Sequence, residues 1–308
     1  MRFEMWIAEL RIFPLAISVC MRADYGMTIV KMKVTFDNNF LDRFHKSAPE
    51  DRNRIFSYVE TGKLEFYANL ETLREVMGLS QTTRSNLIVP FVEYILKLTS
   101  GKILYDIDDM LALEFCGAFQ LLIEEQQRKQ IIIFLKQAAS GHIPSAAQKI
   151  GQHAIEDKKK AKEQFDIMYL NIENQFVGID VATRAKISFD KIRTDNWNNT
   201  CKRTVRAICA DRGIPDPDKV SEAVFNDNGS YPHFRTYMKI FALMLYQYFV
   251  LCRRRDEGDL FDFKQMVYLQ DMDVYVTNER KLQEWYYRIF DNTRQVITAE
   301  QFLVADTC

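Results

Sequence analysis

The fold is decided first by residues 29–44, which read IVKMKVTFDNNFLDRF. Residues 29–36 are rich in β-branched and apolar side chains, as is typical of a strand. The acidic and amide residues at 37–39 end this strand. Phe40, Leu41 and Phe44 then recur at the spacing of a helix. The stretch therefore predicts a strand that passes directly into a helix, which is the repeating unit of α/β folds.

Three further segments repeat this order. Residues 63–68 alternate like a short strand and are followed by helical spacing that ends at Gly78. Residues 273–277 predict another strand, followed at once by a helix that begins at 278–282. Residues 295–298 predict a last strand, before a helix at 299–303. Both ends of the chain therefore have the rhythm of α/β proteins.

The middle of the chain, residues 81–255, shows helical patterns and little else. Because strands at both ends bracket this helical middle, we expect one central parallel sheet flanked by helices. In this interpretation residues 27–80 and 256–308 form the α/β domain, and residues 81–255 are a large all-helical insertion. Residues 1–26 precede the first clean strand and are predicted to be an N-terminal appendage.

Composition excludes several classes of protein. The chain has 308 residues, and its 41 Lys+Arg against 42 Asp+Glu give a net charge of −1, which excludes a generally basic nucleic-acid coat. The longest apolar run, residues 240–252, is too short to span a bilayer. The six cysteines are scattered and form no Cys-x-x-Cys pair, so neither a zinc site nor a disulfide framework is indicated. We predict a cytoplasmic protein with no membrane partner.

Acidic residues occur at corresponding places in the strand–helix units. Asp37 ends the first strand, Glu75 lies in the helix after the second, Asp262 begins a helix, and Glu279 follows the strand at 273–277. Because the carboxyl ends of parallel strands meet at one edge, these carboxylates would repel each other without a divalent cation. Oxygen ligands favour Mg²⁺ or Mn²⁺ over Zn²⁺. Such an ion supports in-line hydrolysis of a phosphodiester.

Three runs of residues resemble the PIN-domain nucleases. Residues 34–41, VTFDNNFL, resemble the opening Asp-Thr-Asn strand of that family, with Asn38 at the usual Thr position. Residues 258–282 resemble its acidic helix start and the strand that ends in Thr-x-Asp, here Thr277-Asn278-Glu279. Residues 296–303 are similar to its last strand and terminal helix. The resemblance covers about residues 28–80 and 256–304 and implies a PIN-like fold.

By this resemblance Asp37, Glu75 and Asp262 would be catalytic, metal-binding carboxylates, and Glu279 would take the fourth acidic place, where the family usually has Asp. Glu71 is the alternative to Glu75, one helical turn away. Asp259 either caps the helix that contains Asp262 or is an extra ligand, and capping is the simpler role.

The function implied is a metal-dependent nuclease of prokaryotic type, with an endoribonuclease favoured, that uses Mg²⁺ or Mn²⁺ and prefers RNA to DNA as its substrate. The alternative is a catalytically degenerate PIN-like module that binds nucleic acid or, through its helical insertion, a protein partner. A helical regulatory protein without a sheet would require the strand predictions at both ends to be wrong.

Two basic segments of the middle region are candidates for contact with nucleic acid. Lys202, Arg203 and Arg206 lie near Trp197 and could combine stacking with phosphate contacts, although a surface helix with a core tryptophan explains them as well. The run at 156–163 mixes both signs of charge, and its simplest interpretation is a solvated helix face.

Overall fold

The computed structural model of the protein describes residues 31–141, 145–195, 197–226, 230–253, 259–290 and 294–304. The appendage predicted at 1–26 lies outside these residues. None of the helices in the described ranges combines the length and the apolar character needed to cross a bilayer.

A five-stranded parallel sheet forms the centre of the described fold. Its spatial order is β3-β2-β1-β4-β5, so the first strand lies in the middle, between β2 and β4. The register places Val34 of β1 beside Phe66 of β2 and Val274 of β4. The predicted α/β fold with a central parallel sheet is thus confirmed. The strands are β1 (Met32–Phe36), β2 (Leu64–Asn69), β3 (Ile103–Leu104), β4 (Val274–Val276) and β5 (Gln295–Ile297).

Helices flank the sheet and connect its strands. Their bounds within the described residues are α1 (Asn38–Lys46), α2 (Pro49–Glu60), α3 (Leu70–Gly78), α4 (Ile88–Thr99), α5 (Ile107–Phe115), α6 (Glu125–Ala139), α7 (Ser145–Phe176), α8 (Val181–Arg184), α9 (Phe189–Asp195), α10 (Trp197–Arg212), α11 (Pro217–Asn226), α12 (Pro232–Leu245), α13 (Asp259–Gln265), α14 (Arg280–Trp285) and α15 (Ala299–Val304).

Alternate residues of the strands face two separate apolar layers. Phe36 and Phe66 lie in one layer with residues of α1, α4 and α15, and their rings pack 5.9 Å apart. Tyr67 and Tyr275 lie in the other layer with residues of α5, α10, α12 and α13. A strand presents successive side chains to opposite faces, and a parallel sheet is normally covered on both. This arrangement leaves the carboxyl ends of β1, β2 and β4 together at one edge.

The prediction of an all-helical segment at 81–255 is wrong at one place, because β3 lies inside it. Ala68 and Asn69 of β2 pair with Ile103 and Leu104 of β3. Two residues are too few to show the alternation by which strands are recognised, and tertiary pairing determines their conformation. Helix α4, also inside that segment, packs in the same apolar layer as Phe36. From Ile107 to Val250 the regular elements in the described residues are helical.

Candidate acidic site at the sheet edge

Asp37 lies where β1 meets α1, and its carboxylate holds this junction. Oδ1 accepts a hydrogen bond of 3.0 Å from the backbone N–H of Phe40, which caps α1. Oδ2 accepts one of 2.6 Å from the hydroxyl of Thr277, just after β4, and one of 3.2 Å from the amide of Asn39. The side chain is buried, at 5% exposure. Asp37 therefore links two neighbouring strands at their carboxyl ends.

Glu279 follows β4 by three residues and is positioned from the same two strand ends. Its backbone N–H donates a 3.0 Å hydrogen bond to the hydroxyl of Thr277, and its Oε1 lies 3.5 Å from the amide nitrogen of Asn39. The side chains of Thr277 and Asn39 thus contact both Asp37 and Glu279. The first and fourth predicted carboxylates are brought together by this polar network.

Asp262 is carried by α13, which Gln265 fastens across the sheet edge. Gln265 Oε1 accepts hydrogen bonds of 3.3 Å from the amide of Asn69 and 3.0 Å from the hydroxyl of Tyr275. Asn69 ends β2 and caps α3 by accepting a 2.7 Å bond from the backbone N–H of Thr72. One turn before Gln265, Asp262 is thereby placed over the ends of β2 and β4.

A pocket of about 410 Å³ opens where these elements meet. All four predicted carboxylates line it, and Glu71, the alternative to Glu75, is not among its lining residues. Asn38 also lines it, and its buried Oδ1 has no hydrogen-bond partner within the described part of the chain. The complete lining is Asp37, Asn38, Asn39, Arg74, Glu75, Gly78, Leu79, Thr82, Ile155, Asp262, Gln265 and Glu279.

Electrostatic effects show how closely the carboxylates interact. Burial, and after it the negative charges of Glu279, Asp37 and Glu75, together raise the pKa of Asp262 to about 8. Burial also raises the pKa of Asp37 to about 6 against the opposing hydrogen bonds from Thr277 and Phe40, and Glu75 adds to the increase. The pKa of the Tyr275 hydroxyl is raised by burial and by all four carboxylates. The pocket therefore holds concentrated negative charge.

The oxygen ligands of the pocket suit a hard cation, although the carboxylates alone do not form a complete coordination shell. No group of three His, Cys, Asp or Glu residues in the described ranges has the geometry of a metal site. Mg²⁺ is normally bound by one or two carboxylates and keeps several waters, and Mn²⁺ accepts the same ligands. The pocket chemistry fits this kind of site, in which water completes the coordination.

Asp259, predicted as a cap or an extra ligand, is bound within the protein. It is the first residue of α13, is buried, and does not line the pocket. Its carboxylate accepts hydrogen bonds of 2.8 and 3.1 Å from Lys281 Nζ and one of 2.5 Å from the hydroxyl of Tyr248. The Lys281 contact ties the start of α13 to α14, which follows Glu279. Asp259 therefore stabilises the elements that carry two of the pocket carboxylates.

The predicted basic cluster has partners on a neighbouring helix. Arg206 Nε lies 2.5 Å from Asp218 Oδ1 of α11, and Lys202 Nζ lies 5.3 Å from the centre of the Phe225 ring. Arg203 is exposed. The side chain of Trp197 lies outside the described residues. Contact between Lys202, Arg203, Arg206 and nucleic acid stays a prediction.

Sequence reasoning missed the residues that hold the carboxylates in place. Asn69 follows a strand and precedes a helix, so its capping role could have been found from its position. Gln265 and Tyr275 have no such signal, because the contact of Gln265 with Asn69 spans 196 residues and its contact with Tyr275, although only 10 residues away, follows no recurring local spacing. Thr277 was noted only as part of the run that resembles PIN-domain nucleases.

Comparison with protein-family models, with curated proteins and with solved structures finds no match for this chain. What the fold and the pocket define is an α/β protein with an acidic pocket at the carboxyl edge of a parallel sheet. The resemblance to PIN-domain nucleases stays a prediction.

Proposed function

We propose that this protein is a metal-dependent nuclease that hydrolyses phosphodiester bonds with Mg²⁺ or Mn²⁺ held by Asp37, Glu75, Asp262 and Glu279. The observation that carries this proposal is the meeting of these four carboxylates in one pocket. The preference for RNA over DNA rests on the resemblance to PIN-domain nucleases alone.

The electrostatics of the pocket support a cation as the missing partner. Buried carboxylates that raise one another's pKa are stabilised when a positive charge lies between them. The unpartnered Oδ1 of Asn38 is a further oxygen donor at the same place. A bound divalent ion would supply an activated water and would neutralise the charge that develops on the phosphodiester.

The chain's own residues would fix the geometry that this chemistry needs. Thr277, Asn39 and the backbone of Phe40 orient the carboxylate of Asp37. Gln265 holds the helix that bears Asp262, and Lys281 and Asp259 hold the start of that helix. A rigid surrounding shell matters because hydrolysis depends strongly on the placement of the reacting groups.

A second candidate function is a catalytically degenerate PIN-like module that binds nucleic acid or a protein partner. Two observations favour it: Glu279 stands where the family that the sequence resembles usually has Asp, and no three acidic ligands in the described residues have metal-site geometry. This module would bind its partner without cutting it.

A paired measurement of metal binding and cleavage tests the proposal. Mn²⁺ is titrated calorimetrically into wild-type protein, Asp37→Asn and Asp211→Asn. Asp211 is exposed, pairs with Arg212 and does not line the pocket. Asp211→Asn therefore removes the same charge as Asp37→Asn, but at a site outside the pocket. Labelled RNA and DNA strands are incubated with each protein and Mg²⁺ or Mn²⁺.

We expect wild-type protein and Asp211→Asn to bind Mn²⁺ and to cut a strand, with cleavage abolished by EDTA. Asp37→Asn should lose both properties. Metal binding without cleavage of either nucleic acid would favour the degenerate module. Equal Mn²⁺ binding by all three proteins would contradict the metal site.

A further inference from the structure

Gly78, at the end of α3, is a glycine that the conformation of the chain does not require. Its φ is −60° and its ψ is −25°, which are ordinary helical values. Gly62, Gly101, Gly117, Gly141, Gly178 and Gly213 all have positive φ, which explains glycine there. Alanine is the better residue in a helix. The reason for glycine at 78 must therefore be sought in its surroundings.

Packing does not require Gly78 either. A Cβ added at this position would meet no atom within 4 Å in the described residues. Gly78 itself lines the acidic pocket, together with Glu75 and Thr82. Because glycine adds no side chain to the pocket lining, another molecule can come close to the backbone at this position.

Helix α7 supplies an apolar side chain to the same pocket. It packs against α3 and against the turn at Leu79–Gln81, and its Ile155 lines the pocket with 50% of its surface exposed. Lys159 lies one turn further along the same face of α7 and is exposed. Lys160 is also exposed, but it lies about 100° further around the helix.

We propose that a single strand of nucleic acid leaves the acidic pocket over Gly78 and follows the face of α7 that carries Ile155 and Lys159. Ile155 contacts a sugar or base, and Lys159 contacts a phosphate. This inference rests on the proposed nuclease function and adds the route of its substrate.

The side chains of Ile155 and Lys159 fit a single strand better than a duplex. One apolar and one cationic side chain, a helical turn apart, match the sugar or base and the phosphate of a nucleotide. In a duplex the bases are stacked inside, so Ile155 would meet only sugar and phosphate. A strand with unpaired bases can turn a base toward Ile155, and it has a narrower backbone to pass over Gly78.

The first test is Gly78→Ala, which adds one methyl group to the pocket wall. Because the position is helical and unobstructed, the variant should be at least as thermally stable as the wild type. Its KM for a single-stranded RNA substrate should rise ~10-fold or more, as when one methyl group obstructs a fitted contact. Thr83→Leu is the control, since Thr83 is exposed, adjacent to Thr82, and not part of the pocket lining.

The second test compares Lys159→Glu with Lys160→Glu. The two variants have the same net charge and alter neighbouring residues of one helix. They differ only in the direction in which the substituted side chain leaves the helix. Binding of a labelled single-stranded RNA is measured against salt concentration in an Asp262→Asn background, so that the strand is not cut. Lys159→Glu should weaken binding and lower the slope of log K against log salt by ~0.7, and Lys160→Glu should leave it close to the parent value.

The possible results separate this inference from the proposed function. Suppose that the wild-type protein cuts RNA and that Asp262→Asn does not, but that Gly78→Ala keeps the parent KM or the two lysine variants bind alike. The route would then be wrong and the nuclease function would stand. If the wild-type protein neither cuts nor binds RNA or DNA, the function and the route are both overturned.

Discussion

Single residues at the sheet edge carry structural and chemical roles at once. Asp37 caps α1 and receives the hydroxyl of Thr277, while its burial and the nearby Glu75 raise its pKa to about 6. At the exposed start of α8, by contrast, hydrogen bonds from Thr183 lower the pKa of the capping carboxylate of Asp180. The raised pKa of Asp37 therefore reflects its burial and the negative charge of Glu75.

Asp262→Asn should abolish Mg²⁺- or Mn²⁺-dependent cleavage and leave thermal stability raised or barely changed. The folded-state pKa of about 8 lies above the ordinary 3.8, so in wild-type protein the ionised form destabilises the fold progressively above pH 3.8. Asparagine removes this effect. This pKa difference sets an upper limit of about 4 kcal/mol at neutral pH. Because the amide of asparagine is itself a buried polar group, we expect a net gain of about 1 kcal/mol, or ~2–4 °C in Tm, with the metal removed by EDTA.

Thermal melts of wild-type protein and Asp262→Asn across acid to mildly alkaline pH check this expectation. The difference in Tm should be small in acid, where both side chains are neutral, and should widen until the pH passes the folded pKa of about 8. Wild-type cleavage by purified Asp262→Asn would show that the site is assigned wrongly.

At the scale of elements, His233 connects α12 with α5 and with the segment just before β4. At the start of α12, its Nδ1 lies 2.8 Å from Glu114 of α5 and its Nε2 lies 2.6 Å from Asp271, just before β4. Glu114 also accepts bonds from the backbone N–H groups of His233 and Phe234. Burial by itself lowers the pKa of His233, but the hydrogen bonds and charges of Asp271 and Glu114 raise it to about 9.

This histidine predicts a loss of stability in alkaline solution. Because its folded pKa is raised above the ordinary 6.5, its contribution is complete below pH 6.5 and is lost as pH rises through about 9. We expect ~2–3 kcal/mol for the whole change. In His233→Gln the free energy of unfolding from urea titrations should be lower at pH 6, and its fall between pH 6.5 and 9 should be shallower. A parallel fall in both proteins would mean that other groups cause it.

The sequence predicts elements well where local signals agree. Helix α2 (Pro49–Glu60) is an example, because Pro49 and the acidic residues after it favour its start and Gly62, at φ 74°, follows its end. β3 was missed because its two residues take their conformation from pairing with β2. Local pattern decides α2, whereas tertiary contact decides β3.

The same distinction between local pattern and tertiary contact applies to the residues of the candidate site. Asp37 and Glu279 each follow a strand, so the topology of a parallel sheet predicts that they meet. The hydrogen bond of Gln265 with Asn69 joins α13 to β2 across 196 residues, and its hydrogen bond with Tyr275 joins α13 to β4. Single-sequence patterns contain no record of such a contact. The carboxylates could thus be predicted, whereas the contacts of Gln265 that hold α13 in place could not.

At the scale of the whole molecule, deletion of residues 1–26 should leave a folded protein. The central strand β1 already has β2 on one side and β4 on the other, and the described sheet begins at Met32. We expect soluble expression and a Tm within ~2–4 °C of the full chain, which corresponds to about 1 kcal/mol. Insoluble expression, or a much lower Tm, would show that this segment contributes to the core.

Charge over the whole molecule gives a nucleic acid little long-range attraction, because 41 basic residues are balanced by 42 acidic ones. Binding must then depend on local groups, and the basic residues Lys202, Arg203 and Arg206 are one place to look. Their helix, α10, pairs with α11 through Arg206 and Asp218. An exposed ion pair of this kind contributes little to stability, so its arginine could exchange Asp218 for a phosphate at small cost.

Reversal of Lys202, Arg203 and Arg206 to Glu should therefore weaken nucleic-acid binding and flatten its salt dependence, by ~0.7–0.9 in the slope of log K for each phosphate that the protein no longer binds. Cleavage by the acidic pocket should persist at saturating substrate, because none of the three residues lines it. A slope equal to that of the wild type would mean that the strand does not cross α10. If Lys159→Glu lowered the slope in the same assay, the strand would follow α7 alone, and the exposed face of α10 would be left for a protein partner.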